Sequence, residues 1–343
     1  MRVLMYYSNA DVRVEKVPTP AIGHGELLMR VFASGICGSD VMEWYRRHKV
    51  PLVLGHEVAG EVVEAGEGVD KFKPGDRIAA THHVPCNTCH YCLNGHHTMC
   101  ETLLKGTSFH PGGFAEYIRI PAINVDRGVF HIPESVSHEK ASFMEPLGCV
   151  LRGQRISGLK AGQSVLVLGS GISGLLHVGL ARALGAGLVV AADTIPFRLK
   201  KAEQMGADLG LNADDRIVSS LREANGGRLA DLVIVCFDGF IPLALKTVER
   251  GGTVLFFAGA AEGATIPAPI NDIFWRTEIT LTSTYAASPY DCETALKLIR
   301  AGAVPVEKTV THRLSMEEAS GGFQAVCAPV EHKCVKVIVE PQK

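Results

Sequence analysis

Four cysteines, Cys86, Cys89, Cys92 and Cys100, stand in "CNTCHYCLNGHHTMC" with the spacing C-x2-C-x2-C-x7-C. Four thiolates this close together suit a closed tetrahedral zinc, which keeps no open position and so braces a loop rather than doing chemistry. An iron–sulfur cluster also takes four cysteines, so spacing alone leaves the metal open. Left unliganded, four such thiols would be an oxidation liability. His90, His96 and His97 in the same stretch read as solvated loop residues.

A second chemistry-bearing stretch is "VLVLGSGISGLL", where Gly169, Gly171 and Gly174 form G-x-G-x-x-G and Ile172 opens the run that follows. The glycines stand after an apolar strand-like run and before a helix-like one. There a pyrophosphate can meet backbone N–H groups at the positive end of a helix. Asp193 lies 19 residues beyond Gly174, at the end of "LVVAAD". Its carboxylate would accept hydrogen bonds from both ribose hydroxyls of an adenosine and repel a 2′-phosphate, which favours NAD over NADP. Thr194 and Ile195 bring no positive charge, while Arg198 lies close by in sequence.

The third group is dispersed. Cys37 and Ser39 stand in "GICGSD", and His56 and Glu57 in "GHEVAGEVVEAGEGV". Cysteine, histidine and carboxylate are all metal ligands, but these sit on separate turns, and spacing does not bring them together. Trp44, Tyr45, Arg46 and Arg47 follow and read as a solvated basic loop. Edging a substrate cleft is the other reading, in which arginine would favour a carboxylate or phosphate.

Positioning these groups takes more than one core. The chain has 343 residues, 47% of them apolar, with 36 glycines and 17 prolines, which suits a globular protein of two domains. Its formal charge of −2 gives no field to draw nucleic acid or an anionic membrane. No run approaches the roughly 20 apolar residues of a membrane span, and "MRVLMYYSNADVRVEK" lacks a signal-type apolar stretch, so a cytoplasmic setting is expected. In that setting the ten cysteines stay reduced, and metal binding outranks disulfides.

Residues 1–150 read as short strands such as "ELLMRVFA", "EVVEAG" and "DRIAA" between Gly and Pro turns. Near residue 160 the pattern becomes strand, glycine loop, helix, strand, and the alternation runs on through "DLVIVCFDG" and "TVLFFAGA". That pattern predicts a doubly wound parallel sheet over 151–285. After 285 come helix-like "SPYDCETALKLIRAG" and a closing strand "KCVKVIVE" that needs a partner, so 286–343 is expected to return to the first domain.

Taken together, "GICGSD", "GHEVAGEVVEAGEGV", the four-cysteine lobe and the nucleotide half resemble the zinc-dependent medium-chain dehydrogenase/reductase (alcohol dehydrogenase) superfamily over nearly the whole chain. The resemblance implies a GroES-like first domain, a Rossmann second domain and an active site in the cleft between them. It implies two zinc ions per chain, one catalytic and one structural, with NAD. Cys37 and His56 match the catalytic ligands, and Glu57 the glutamate that ligates or approaches the metal. A further ligand position falls at Glu145 in "SFMEPLGCVLRG", where some alcohol dehydrogenases carry Cys or Asp; the EPL tripeptide is similar to polyol and sugar-alcohol dehydrogenases. Ser39 matches the hydroxyl that takes the substrate proton, whereas Met42 stands where many relatives carry the next histidine of the relay.

The implied reaction is reversible oxidation of a secondary alcohol, a polyol, sugar alcohol or cyclic alcohol, to a ketone. A threonine-type amino-alcohol dehydrogenase is an alternative, although that branch tends to carry Asp where Glu145 stands. General alcohol dehydrogenases or carbonyl reductases are another. From a different class, a zinc-stabilised binding protein that has lost catalysis is opposed by intact Cys37, His56, Ser39 and Asp193. The family resemblance also implies a homodimer or homotetramer paired through the edge of the nucleotide-binding sheet.

Overall fold

A computed structural model describes residues 1–266 and 270–343, apart from the Asp272 side chain. Residues 267–269, inside the expected 151–285 stretch, lie outside the described residues. The chain forms two compact units. One comprises Met1–Gly148, Ala286–Ala301 and Val310–Lys343; the other comprises Cys149–Tyr285 and Gly302–Thr309.

The first unit is built on a mostly antiparallel seven-stranded sheet. Its order is Val310–Leu314, Lys336–Val339, Leu27–Gly35, Glu57–Ala65, Arg77–Ala80 and Val129–His131, with Tyr117–Ile120 also on Leu27–Gly35. The closing strand Lys336–Val339 finds its partners here, pairing antiparallel with Leu27–Gly35 and parallel with Val310–Leu314. Alternating apolar residues of the strands fill the interior, among them Val31, Val58, Ile78 and Ile118.

Three pairings fix what the sheet presents at one end. Gly35 lies opposite Glu57, Val58 opposite Ala80, and Ile338 opposite Gly35. The residues just past these registers, Cys37, His56 and His82, therefore leave the ladder at the end where Lys336 begins its strand, although the four come from separate stretches. A side chain on Gly35 would collide with the Glu57 carboxylate and the Lys336 ammonium. Glycine there is a spatial requirement.

The second unit holds six parallel strands in the order Leu209–Asn212, Leu188–Asp193, Ser164–Leu168, Ala230–Val235, Val248–Phe256 and Thr280–Ser283. This is the doubly wound arrangement, whose strand order reverses at Ser164–Leu168, where such sheets bind ligands beyond the carboxyl ends of the strands. The central strands are apolar on both faces, as strands covered on both sides must be. Between two of these strands, residues 241–247 form a helix, and Val248 already lies in strand, opposite Ala230. The short stretch Gly302–Thr309 is tied to this unit by Lys201 Nζ donating to Lys308 O at 2.8 Å and Lys308 Nζ to Gln204 O at 3.0 Å. Among the described residues, no helix is long and apolar enough to cross a membrane.

Candidate active site

In the first unit the ligand atoms of Cys37, His56 and Glu57 lie within 4.8 Å of one another. Cys37 ends the extended stretch after Leu27–Gly35 and caps the turn Gly38–Val41, its N–H donating to Asp40 Oδ2 at 3.0 Å. Asp40 is fully buried, and its other oxygen stands 3.6 Å from His56 Nδ1 and 3.5 Å from Arg46 Nη2. A carboxylate behind an imidazole orients the ring and raises its basicity toward a metal on the opposite nitrogen. Sequence reading missed Asp40 in this role, although the "GSD" triplet carried it.

Burial works against a proton on His56, yet Asp40, the contact with Cys37 and the charge of Glu145 outweigh it and hold the imidazole well above its ordinary range. The acceptors around His56 thus select for positive charge at this point. With a thiol, an imidazole and carboxylates converging, the donor set fits a zinc ion.

Glu57 is not a free ligand. Its Oε2 accepts from Lys336 Nζ, which also donates to Ile36 O at 3.0 Å, and both side chains of the pair are 1% exposed. Burial pushes the Glu57 carboxyl up, while Lys336 and His56 pull it back.

Glu145, in the first turn of the helix Met144–Ile156, falls in a neighbouring group with His82 and His83, again within 4.8 Å. His83 Nδ1 stands 3.4 Å from Glu145 Oε1. The His82 ring packs on His56 with centroids 4.8 Å apart and on His83 at 3.6 Å. Burial, then the charges of His83, His56 and Arg46, hold His82 well below the usual imidazole range, so its ring is neutral. Neither histidine entered the sequence reading. The signal was the "THH" that follows the strand "RIAA" directly before the cysteine lobe.

Ser39 Oγ donates to Cys37 Sγ at 3.4 Å. Arg46, expected in a solvated loop, instead turns inward. Its side chain is 13% exposed and donates from Nε to Ser39 O at 3.1 Å and from Nη2 to Ser39 Oγ at 3.4 Å, stacking over Tyr45. Trp44, Tyr45 and Arg47 do face solvent. His48 is exposed and accepts from Arg47 Nε at 3.2 Å.

The four cysteines of the lobe converge as well. Their sulfurs lie within 4.8 Å of one another, with Cys86 to Cys92 at 4.0 Å and Cys89 to Cys92 at 3.5 Å. Four thiolates at a zinc–sulfur length of about 2.3 Å would be separated by about 3.8 Å. Hydrogen bonds from the Thr88 hydroxyl, the Thr88 amide and the Cys89 amide pull the Cys86 thiol down to about 5, ready to ligate. Little else holds this loop together; its apolar cluster is Leu103 with the cysteines.

In the second unit Gly169 adopts a φ of +97°, and a side chain on Gly174 would overlap the Gly169 carbonyl, so the loop turns tightly into the helix Ile172–Ala183. Gly171 caps that helix, and its missing side chain would meet only Arg198 Nη1, at 4.0 Å, which leaves the helix end open to a phosphate. Asp193, at the end of its strand, accepts from Ser170 N at 2.7 Å and Ile195 N at 2.9 Å. Two backbone donors fix the carboxylate, and its remaining lone pairs suit a ribose diol. Arg198 Nη1 stands 3.9 Å from Asp193.

Residues 23–134 match the alcohol dehydrogenase GroES-like domain and residues 173–301 the zinc-binding dehydrogenase domain. The sorbitol dehydrogenase of Bacillus subtilis is 30% identical, covering 100% of this chain and 98% of its own length. The L-threonine 3-dehydrogenase of Bacillus licheniformis is 35% identical, covering 95% and 94%. A solved zinc-binding dehydrogenase from Sinorhizobium meliloti, bound to NADP, superposes with a TM-score of 0.86 at 30% identity, covering 99% of both chains. The chain therefore belongs to the zinc-dependent medium-chain dehydrogenase (alcohol dehydrogenase) superfamily, in its polyol dehydrogenase-like branch, and is an oxidoreductase acting on CH–OH groups.

Proposed function

We propose that the chain oxidises a secondary hydroxyl of a polyol, sugar alcohol or cyclic alcohol to a ketone, with zinc at the Cys37–His56 site and NAD as hydride acceptor. The convergence of Cys37, His56 and Ser39 at one end of the sheet, with Glu57 and Glu145 beside them, carries this reading. Bound there, zinc would supply a Lewis acid that makes an alcohol proton easier to lose, and NAD would supply the hydride acceptor. Asp40 orients His56, and Cys86, Cys89, Cys92 and Cys100 hold the structural zinc. Ser39 Oγ accepts the proton from the substrate oxygen as its own hydroxyl proton passes to water, which its half-buried position admits. Arg46 holds Ser39 in place but, as a guanidinium, only donates and carries no proton onward. Gly169, Gly171, Ile172 and Gly174 seat the pyrophosphate, with Asp193 on the ribose and Arg198 beside it.

Two cations beside the metal site are matched. Lys336 faces Glu57 and Arg46 faces Asp40, so neither is left over to draw a carboxylate or phosphate substituent. That favours an uncharged polyol. The threonine-type reading is kept because the Bacillus licheniformis relative is 35% identical over 95% of this chain. A cytoplasmic setting, which keeps the lobe thiols reduced, belongs to the same reading. So does a homo-oligomer, dimer or tetramer, formed through Thr280–Ser283 at the edge of its sheet.

The test is NADH formation with polyols, inositols, amino alcohols and simple alcohols, beside metal analysis. Zinc-dependent turnover of polyols, lost with one zinc in Cys37→Ser, is the expected result. Turnover of threonine alone, or turnover that survives Cys37→Ser, would sink the polyol reading or the zinc assignment respectively. Asp193→Ala should weaken NAD binding by roughly tenfold or more, with little loss for NADP.

A further inference from the structure

We infer that His82 binds a second hydroxyl of the substrate, the one on the carbon next to the reacting carbon, and so makes the enzyme selective for vicinal diols. This rests on the polyol reading above and names the group that separates polyols from simple alcohols.

The His82 ring lies against His56, with centroids 4.8 Å apart, and next to His83 and Phe109. Its Nδ1 is buried with no hydrogen-bond partner. Buried polar atoms in folded proteins are almost always paired, so this buried ring nitrogen calls for a partner from outside the chain. A neutral imidazole offers one donor and one acceptor, which is what a hydroxyl also offers; a carboxylate or an ammonium would use only one of the two.

Position fits the same partner. Hydroxyls on neighbouring carbons are separated by about one hydrogen-bond length. A substrate with its reacting oxygen at the Cys37–His56 site therefore carries its next oxygen toward the ring packed on His56. The backbone that carries the ring is also held. Thr107 Oγ1 donates to the His82 carbonyl, and Asn124 Nδ2 donates to Thr81 O and Thr107 O, both at 2.9 Å. A residue whose backbone is clamped on both sides loses little freedom on binding, as a specificity contact should.

The experiment compares kcat/KM for butane-2,3-diol, pentane-2,4-diol and butan-2-ol in the wild type, His82→Phe and His82→Asn, with calorimetric binding of butane-2,3-diol to the zinc- and NADH-loaded proteins. The wild type should prefer the vicinal diol over both others. His82→Phe keeps the ring and should cut the vicinal-diol to mono-alcohol ratio roughly tenfold, with a matching loss of diol affinity, while His82→Asn retains part of both. A wild type without preference for the vicinal diol overturns the inference, and so does an unchanged ratio in His82→Phe. Metal analysis provides a further arm: a third zinc per chain, lost in His82→Phe, would make His82, His83 and Glu145 a metal site and overturn it too. If no secondary alcohol is oxidised, the proposed function fails, and the calorimetry still reads whether His82 binds the diol.

Discussion

Replacing Lys336 with methionine removes one partner of a buried ion pair and leaves the other in place. The Glu57 and Lys336 side chains are each 1% exposed, and Gly35 closes over both, so water does not reach the carboxylate that remains. Breaking such a pair from one side costs about 3–5 kcal/mol, because a buried charge is left without compensation. At roughly 2–4 °C per kcal/mol for a unit of this size, the zinc-free chain should melt roughly 6–20 °C lower. Lys336→Met/Glu57→Gln should recover most of that loss, since the orphaned charge goes with its carboxylate. Burial already pushes the Glu57 carboxyl up, so the single variant can relieve itself by taking a proton, and its deficit should shrink as pH falls. With zinc restored, Glu57 gains a new cation, and the deficit should shrink again. Scanning calorimetry on chelator-treated and zinc-loaded protein checks each step. If single and double variants melt together, Glu57 is not a buried charge dependent on Lys336, and the reasoning is refuted.

Two further outcomes follow from other parts of the chain. His177 in the second unit is fully buried, bonded at Nδ1 to Gln154, and pushed down by burial to about 3 from an ordinary 6.5. The unfolded chain therefore binds a proton that the folded chain refuses, so stability is full above pH 6.5 and falls below it, by roughly 3 kcal/mol at about pH 4.5. His177→Leu should flatten that acid limb in denaturant melts, and parallel limbs for both proteins would count against it. Cys100→Ser should remove one zinc per chain and open the exposed Lys105 bond to trypsin, whereas Cys327→Ser, at an exposed cysteine outside both sites, should do neither; an unchanged metal count in Cys100→Ser would refute the structural zinc.

The sequence was most readable where a site is local. The cysteine lobe fits within residues 86–100, and the glycine loop with Asp193 within 169–193, so spacing alone carries their geometry. The doubly wound sheet was legible for a related reason: its strands are continuous apolar runs separated by helices of ordinary length. Cys37 and His56 were legible only by resemblance, because what joins them is the antiparallel register of Gly35 with Glu57, and no local pattern announces a register.

The counter-charges were not legible at all, and the reason is general. A metal selects its ligands by element and shape, so cysteine and histidine stand out among the chain's ten and fourteen. A buried carboxylate asks only for some cation at the right place, and the chain offers 34 lysines and arginines of equal standing. Lys336 reaches Glu57 from 279 residues away, at the start of a strand whose pattern reads as plain core. Arg46 is close in sequence, yet it sits in a four-residue helix that reads as a solvated loop, and only the fold turns its guanidinium onto Asp40 and Ser39. His82 belongs with them, since its place is set by the register of Ala80 with Val58 and by what the site lacks, a partner for its buried ring nitrogen. The residues that tune this site therefore had to be found from the structure, while those that define its chemistry could be proposed without it.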